Sequence, residues 1–183
     1  GGLVRQVTVA QVDRNEVRLS PQALGQPEQC GRILQGRWGV AHGQLSTGMQ
    51  RQGIETETIE IGKMSIHGCI ACGHCYKSEG NRCVFTDDCV NETAQKMREA
   101  DGFILGCPTY YAGIPGTMKS FLDRVFYTSS RYFRLKVATS CAVVRRAGGV
   151  DGVHQLNNYL NLAQTVIPPS QYWTIAYGRD KAE

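Results

Sequence analysis

Residues 102–124 read GFILGCPTYYAGIPGTMKSFLDR, and the rest of the chain falls into place around them. The apolar run Phe103-Ile104-Leu105 stands between a polar segment with helical spacing and a turn rich in glycine and proline. That is the pattern of a buried parallel strand. In the turn CPTYYAGIPG, glycines let the backbone approach a flat ligand while aromatic rings can cover it. Pro115 suits a first helical position, where its fixed φ fits and its missing N–H is not needed. Met118, Phe121, Leu122 and Val125 follow at helical spacing. A strand, a ligand-sized turn and a helix form the unit from which doubly wound sheets build sites at the carboxyl ends of their strands.

The flanking sequence repeats the alternation. Downstream, Leu135–Val144 is mostly apolar and reads as a fourth strand, with RRAGG (145–149) as its turn. Val153, Leu156, Leu160 and Ala163 mark a helix that Pro168-Pro169 ends, and YWTIAY (172–177) reads as a fifth strand. Upstream, Asp88 is placed to cap a helix with Val90, Ala94 and Met97 on one face. IETETIEI (54–61) is β-branched and half polar, as an edge strand is. Val7 and Val9 alternate in a further candidate strand, and Glu16–Leu19 is a shorter one.

The first fifty residues are different: they hold eight Gly and eight Gln but no Phe, Tyr or Lys. The helix expected over Cys30–Gln50 contains five glycines, each costing about 1 kcal/mol relative to alanine, with no compensating apolar stripe.

Four of the eight cysteines lie within fifteen residues: Cys69, Cys72, Cys75 and Cys83, spaced C-x-x-C-x-x-C-x7-C. Two-residue gaps let neighbouring thiolates wrap one small metal centre. Gly68, Ala71 and Gly73 keep the loop small, so that N–H groups can point at sulfurs. The residues admit three readings: an iron–sulfur cluster, structural zinc, or bare thiols. A disulfide framework is not expected in a cytoplasmic chain. His74 reads as a surface residue, since four thiolates complete the site, and His67 and His154 as surface or structural. Cys89, Cys107 and Cys141 read as small buried hydrophobes. Lys119 and Asp123, four apart on a helix, read as an ion pair rather than as catalytic groups with Arg124.

The ordered run C-P-x-Y-Y-x-G-x-P-G-x-M-K-x-F-L-D-R (107–124) resembles the flavin loop and following helix of the flavodoxin-like NAD(P)H-dependent FMN reductases. The cysteine spacing resembles the compact cluster motif of the iron–sulfur flavoproteins of that family. The resemblance spans about residues 51–183. It implies one flavodoxin-like domain over 1–183: an α/β, doubly wound, five-stranded parallel sheet in three α/β/α layers, strand order 2-1-3-4-5. It implies flavin contacts at Pro108, Thr109, Tyr110, Tyr111 and Gly113, with Ala147, Gly148 and Gly149 at the pyrimidine edge. It favours a [4Fe–4S] cluster on Cys69, Cys72, Cys75 and Cys83. The nearest counterpart of the family's phosphate turn, G-S-P-R-x-x-G-N-T, is Leu19–Pro27. There Ser20, Pro21 and Gly25 match, whereas Leu19, Gln22, Gln26 and Pro27 depart.

The resemblance further implies an FMN-dependent oxidoreductase, with NAD(P)H or a ferredoxin-type carrier as electron donor, assembled as a homodimer or homotetramer. No protein acid or base need be named, because the flavin carries the redox chemistry. The other reading is a non-catalytic electron carrier, or a degenerate member with a structural metal site. In that fold a last helix follows the fifth strand; none is read before Glu183, so a longer native chain or a partner subunit is expected to cover that face. A net charge of +4, with no basic stripe, argues against nucleic acid as a partner. No run approaches the ~18 apolar residues of a membrane span, and the chain is expected to be cytoplasmic.

Overall fold

The computed structural model describes residues 4–10, 48–168 and 170–177. Strand β1 (Arg5–Ala10) is followed by β2 (Glu55–Glu60), a single helical turn α1 (His74–Lys77) and a 3-10 turn (Glu79–Asn81). Then come α2 (Val90–Glu99), β3 (Gly102–Pro108), α3 (Gly116–Phe133), β4 (Val137–Val144), α4 (Gly149–Leu162) and β5 (Ile175–Tyr177). The five strands form one sheet in the order β2-β1-β3-β4-β5, and every pair is parallel. This is the doubly wound order expected from the sequence.

Register determines which side chains share a face. Val7 pairs with Phe103 and Phe103 with Ala138; Val9 pairs with Leu105 and Leu105 with Ser140. Because side chains alternate along a strand, these residues and Cys107 point to one side. There they pack on Val90, Ala94 and Met97 of α2, Met118, Phe121, Leu122 and Val125 of α3, and Leu156 and Leu160 of α4. Phe103, Phe126 and Phe133 form an aromatic knot, with ring centroids 5.0–6.3 Å apart. Each such ring contributes roughly 1.5–3 kcal/mol by leaving water. The opposite face carries Thr8, Ile104, Thr139 and Cys141.

Some boundaries differ from the expectation. The fourth strand begins at Val137, because Leu135 turns the chain with φ 64 and gives its N–H to Gln164 O. The fifth is limited to Ile175–Tyr177; Tyr172 and Trp173 meet edge to face before it starts. Of the helix expected over Cys30–Gln50, only 48–50 lie among the described residues, and these are helical. The candidate strand Glu16–Leu19 lies outside them. Cys107 is buried as expected, but Cys89 and Cys141 are only partly so. Cys89 sits at the open start of α2, and Cys141 points to the face away from α2–α4. Among the described residues, no helix is long and apolar enough to cross a membrane.

Candidate flavin and cysteine site

A parallel sheet brings all its strand-to-helix turns to one edge. The turn after β3 doubles back sharply there. Tyr110 and Gly113 exchange both backbone hydrogen bonds (2.9 and 3.0 Å), closing a two-residue loop in which Tyr111 (φ 49) and Ala112 (φ 59) both have positive φ. That is type I′ geometry, usually given to Asn-Gly; placing a bulky residue there stores strain. Tyr111 is thereby held fully exposed, and Tyr110 is 41% exposed.

The turn after β4 meets this loop. Gly148 has φ 89, and a Cβ on it would lie 2.6 Å from Ala112 Cα, so only glycine lets the two turns touch. Gly149 is buried against Val144 and Ile175, and Ala147 is exposed. Pro108 ends β3. Gln155 of α4 closes the back of the loop, accepting from Ile114 N–H (3.3 Å) and lying against Gly113. Thr109 is tied down by its own N–H, which donates to Val143 O (2.9 Å), yet its Oγ1 is buried without a partner among the described residues. An orphaned hydroxyl, a glycine cradle and two outward-facing tyrosine rings together suit a planar, polar-edged ring system such as a flavin. Ser20, Pro21 and Gly25, expected at the phosphate, lie outside the described residues.

The cysteine segment forms its own chamber. Cys69, Cys72, Cys75 and Cys83 line a cavity of about 120 Å3, walled by Ile70, Tyr76, Phe85, Arg124 and Tyr127. All four thiols are free; Cys69 and Cys72 are exposed, Cys75 and Cys83 partly buried. Burial pushes the Cys75 thiol up, and the proximity of Cys83, Cys69 and Cys72 adds to it. Ala71, with φ 54, turns its N–H toward Cys69 Sγ (3.4 Å). Among the described residues, no three His, Cys, Asp or Glu side chains converge on a point that would hold one metal ion. The four thiols line one chamber. Four soft donors around a chamber, with N–H groups aimed at sulfur, fit an iron–sulfur cluster.

Sequence reasoning missed how firmly this loop is held. Asn91 accepts from Cys83 N–H (2.7 Å) and donates to Cys83 O (3.1 Å) and Phe85 O (2.9 Å). Asn81 donates to Cys75 O (2.9 Å). Arg98 reaches from α2 to Gly80 O (2.6 Å), Asn81 O (2.9 Å), Thr128 O (3.0 Å) and Ser129 Oγ (2.8 Å), and burial lowers its pKa. Arg124 is 1% exposed and gives its Nε–H to Cys83 Sγ (3.1 Å). One signal could have found Arg124: it lies three residues after Phe121 and four before Thr128, both buried on the inner face of α3. Asp88 does serve the start of α2, accepting from Val90 N–H at 3.2 Å.

Lys119 and Asp123 form the expected ion pair, at 2.6 and 2.7 Å. Tyr159 donates to the same carboxylate (2.5 Å); burial first, and then this bond, push its pKa up to about 12. These three border a larger cavity of about 500 Å3 between α3 and α4, which meets the cysteine chamber at Tyr76 and Tyr127. His74 and His154 are exposed; His67 stacks on Phe85 and pairs with Asp87 at 3.3 Å.

The family profile described as NADPH-dependent FMN reductase matches residues 38–180. The chain belongs to the NADPH-dependent FMN reductase family. The match begins upstream of the resemblance read from about residue 51 and leaves Leu19–Pro27 outside it. An iron–sulfur flavoprotein of Methanocaldococcus jannaschii is 35% identical over 135 residues, covering 69% of this chain and 66% of that protein. Another, from Methanosarcina thermophila, is 29% identical over 122 residues, covering 64% and 62%. The match thus spans less than two thirds of each relative's own length. A solved flavodoxin from the domain Archaea superposes with a TM-score of 0.57 at 8% identity, over 95% of this chain and 84% of that one. That likeness identifies the fold as flavodoxin-like.

Proposed function

We propose that this protein is an FMN-dependent oxidoreductase that also carries a [4Fe–4S] cluster on Cys69, Cys72, Cys75 and Cys83. When bound, FMN supplies hydride and single-electron chemistry, and the cluster supplies single-electron exchange. The observation that carries the reading is that one rigid element serves both sites. Helix α3 starts directly after the Tyr110–Gly113 turn, and eight residues along it Arg124 is bonded to Cys83. That is about 12 Å of helix, so one rigid element would hold the residues of both groups in a fixed relation.

Tyr110 and Tyr111 cover the flavin ring, and Pro108, Thr109 and Gly113 line it. Ala147, Gly148 and Gly149 offer backbone groups to its pyrimidine edge. The type I′ backbone turns the Tyr111 side chain outward, where it is fully exposed. Gln155 and the Lys119–Asp123–Tyr159 group fix the start of α3 beneath the loop. A nicotinamide nucleotide or a ferredoxin-type carrier is the donor in this reading, in a cytoplasmic homodimer or homotetramer.

The test is to mix FMN-loaded protein anaerobically with NADH, NADPH or reduced ferredoxin and follow flavin bleaching, with a quinone or free flavin as acceptor. Sustained turnover with one of these donors is expected. Reduction without turnover identifies a carrier instead, and no reduction by any donor contradicts the reading.

A further inference from the structure

Arg124 is the largest fully buried side chain of the described residues. A guanidinium has five N–H groups, and here each has an acceptor. Nε–H donates to Cys83 Sγ (3.1 Å). One terminal nitrogen serves His67 O (3.2 Å) and Asp88 Oδ2; the other serves Phe85 O (3.3 Å) and Asp88 Oδ1 (3.1 Å). The Phe85 ring lies 5.1 Å from the guanidinium carbon. Burial alone would lower the pKa of Arg124; the hydrogen bonds to Asp88 and Cys83 reverse that and raise it. Asp88 is equally buried, so the pair brings no net charge to the chamber. What remains on the cysteine side is a directed N–H···S bond from a fork that cannot turn.

From this geometry we infer that Arg124 is a positioning residue that sets the reduction potential of a cluster bound at Cys83, raising it through the Nε–H···Sγ bond. The inference rests on the cluster reading above. A cluster that accepts one electron places more negative charge on its ligand sulfurs, so a donor fixed at one sulfur stabilises the reduced form more than the oxidised form. A lysine at this position keeps the charge but cannot present the planar fork. An ion pair whose only role is to tie α3 to the start of α2 would leave the potential unchanged.

The test uses flavin-free protein, reconstituted anaerobically with iron and sulfide and titrated potentiometrically with EPR detection. Arg124→Lys is compared with Asp88→Asn/Arg124→Gln, a neutral hydrogen-bonding pair that avoids leaving Asp88 buried and unpaired. In both variants the ratio of reduced to oxidised cluster at the wild-type midpoint should fall about tenfold or more, equivalent to about 59 mV for a one-electron couple. Iron content should stay at the wild-type level. An unchanged midpoint in either variant overturns the inference, even if the melting temperature falls, because the pair is then only structural. Folded variants that assemble no cluster also overturn it, since Arg124 would act in assembly. If wild-type protein binds no iron and sulfide, the cluster reading itself has failed, and the inference with it.

Discussion

Replacing Asn91 by alanine should loosen the fourth cysteine without touching any thiol. Asn91 is 9% exposed and joins α2 to the chain around Cys83 by three hydrogen bonds of 2.7–3.1 Å. A hydrogen bond to a buried backbone group is worth about 1 kcal/mol net, and leaving its partner unpaired costs more. Part of the exposed backbone would regain water, so about 2–3 kcal/mol is expected for the three together. For a chain of this size that is a fall of roughly 4–12 °C in melting temperature. The loss should also be local: amide exchange at Cys83 should quicken by about tenfold or more while the amides of β3 stay protected. Gln95→Ala serves as the control, because among the described residues its side chain bonds the exposed Glu99 four residues on. Metal-free protein is the right sample, since a bound cluster would hold Cys83 by itself. A melting temperature within about 1 °C of wild type, with Cys83 exchange unchanged, would refute the claim that the loop is pre-organised by Asn91.

Tyr111→Gly should separate strain from binding. Glycine relieves a left-handed backbone worth about 1 kcal/mol, so flavin-free protein should melt no lower, while a fluorescence titration should show FMN affinity weakened by about 3–10-fold. A lower melting temperature would mean that the ring supports the fold. Gly148→Ala forces a Cβ to 2.6 Å from Ala112 Cα at φ 89; it should cost about 1–3 kcal/mol in urea unfolding and weaken FMN binding, and an unchanged affinity would detach this turn from the flavin site. Burial pushes the thiols of both Cys107 and Cys141 up to about 12 from 9.0, with a further contribution to Cys107 from the neighbouring Cys141. Above the ordinary thiol value the unfolded chain loses these protons and the folded chain keeps them. Their contribution to stability is therefore complete below pH 9 and lost as the pH rises toward about 12. Cys107→Ala/Cys141→Ala should flatten the decline of unfolding free energy with pH over that window; an unaltered slope would contradict the assignment.

The sheet was legible because the runs around Phe103–Leu105 and Val137–Val144 are apolar and separated by glycine-rich turns, and because α3 keeps a clean stripe from Met118 to Val125. The turn after β3 was legible as a glycine- and proline-rich turn between strand and helix, but its type I′ backbone was not, since Tyr111-Ala112 replaces the Asn-Gly that marks such turns. The four cysteines were plain from spacing. Their support was not: Arg98, Asn81, Asn91 and Arg124 are polar residues that normally face water, and only tertiary packing brings them onto backbone carbonyls and sulfur up to 41 residues away. Arg124 in particular was set aside beside the Lys119–Asp123 pair, although it lies on the inner face of the helix. Residues 11–47, whose composition gave no consistent pattern, lie outside the described residues, so the phosphate turn at Ser20, Pro21 and Gly25 stays an expectation.

The most direct test of the central claim is to measure iron, sulfide, zinc and FMN per chain after anaerobic reconstitution, together with the absorption spectrum, in wild type, Cys72→Ser and Cys141→Ser. The account predicts about four iron and about four sulfide per chain with a brown charge-transfer band. It predicts one bound FMN per chain, loss of the cluster but not of the flavin in Cys72→Ser, and no change in Cys141→Ser. Zinc in place of iron, or rapid alkylation of all four motif thiols in the reconstituted wild type, would contradict it.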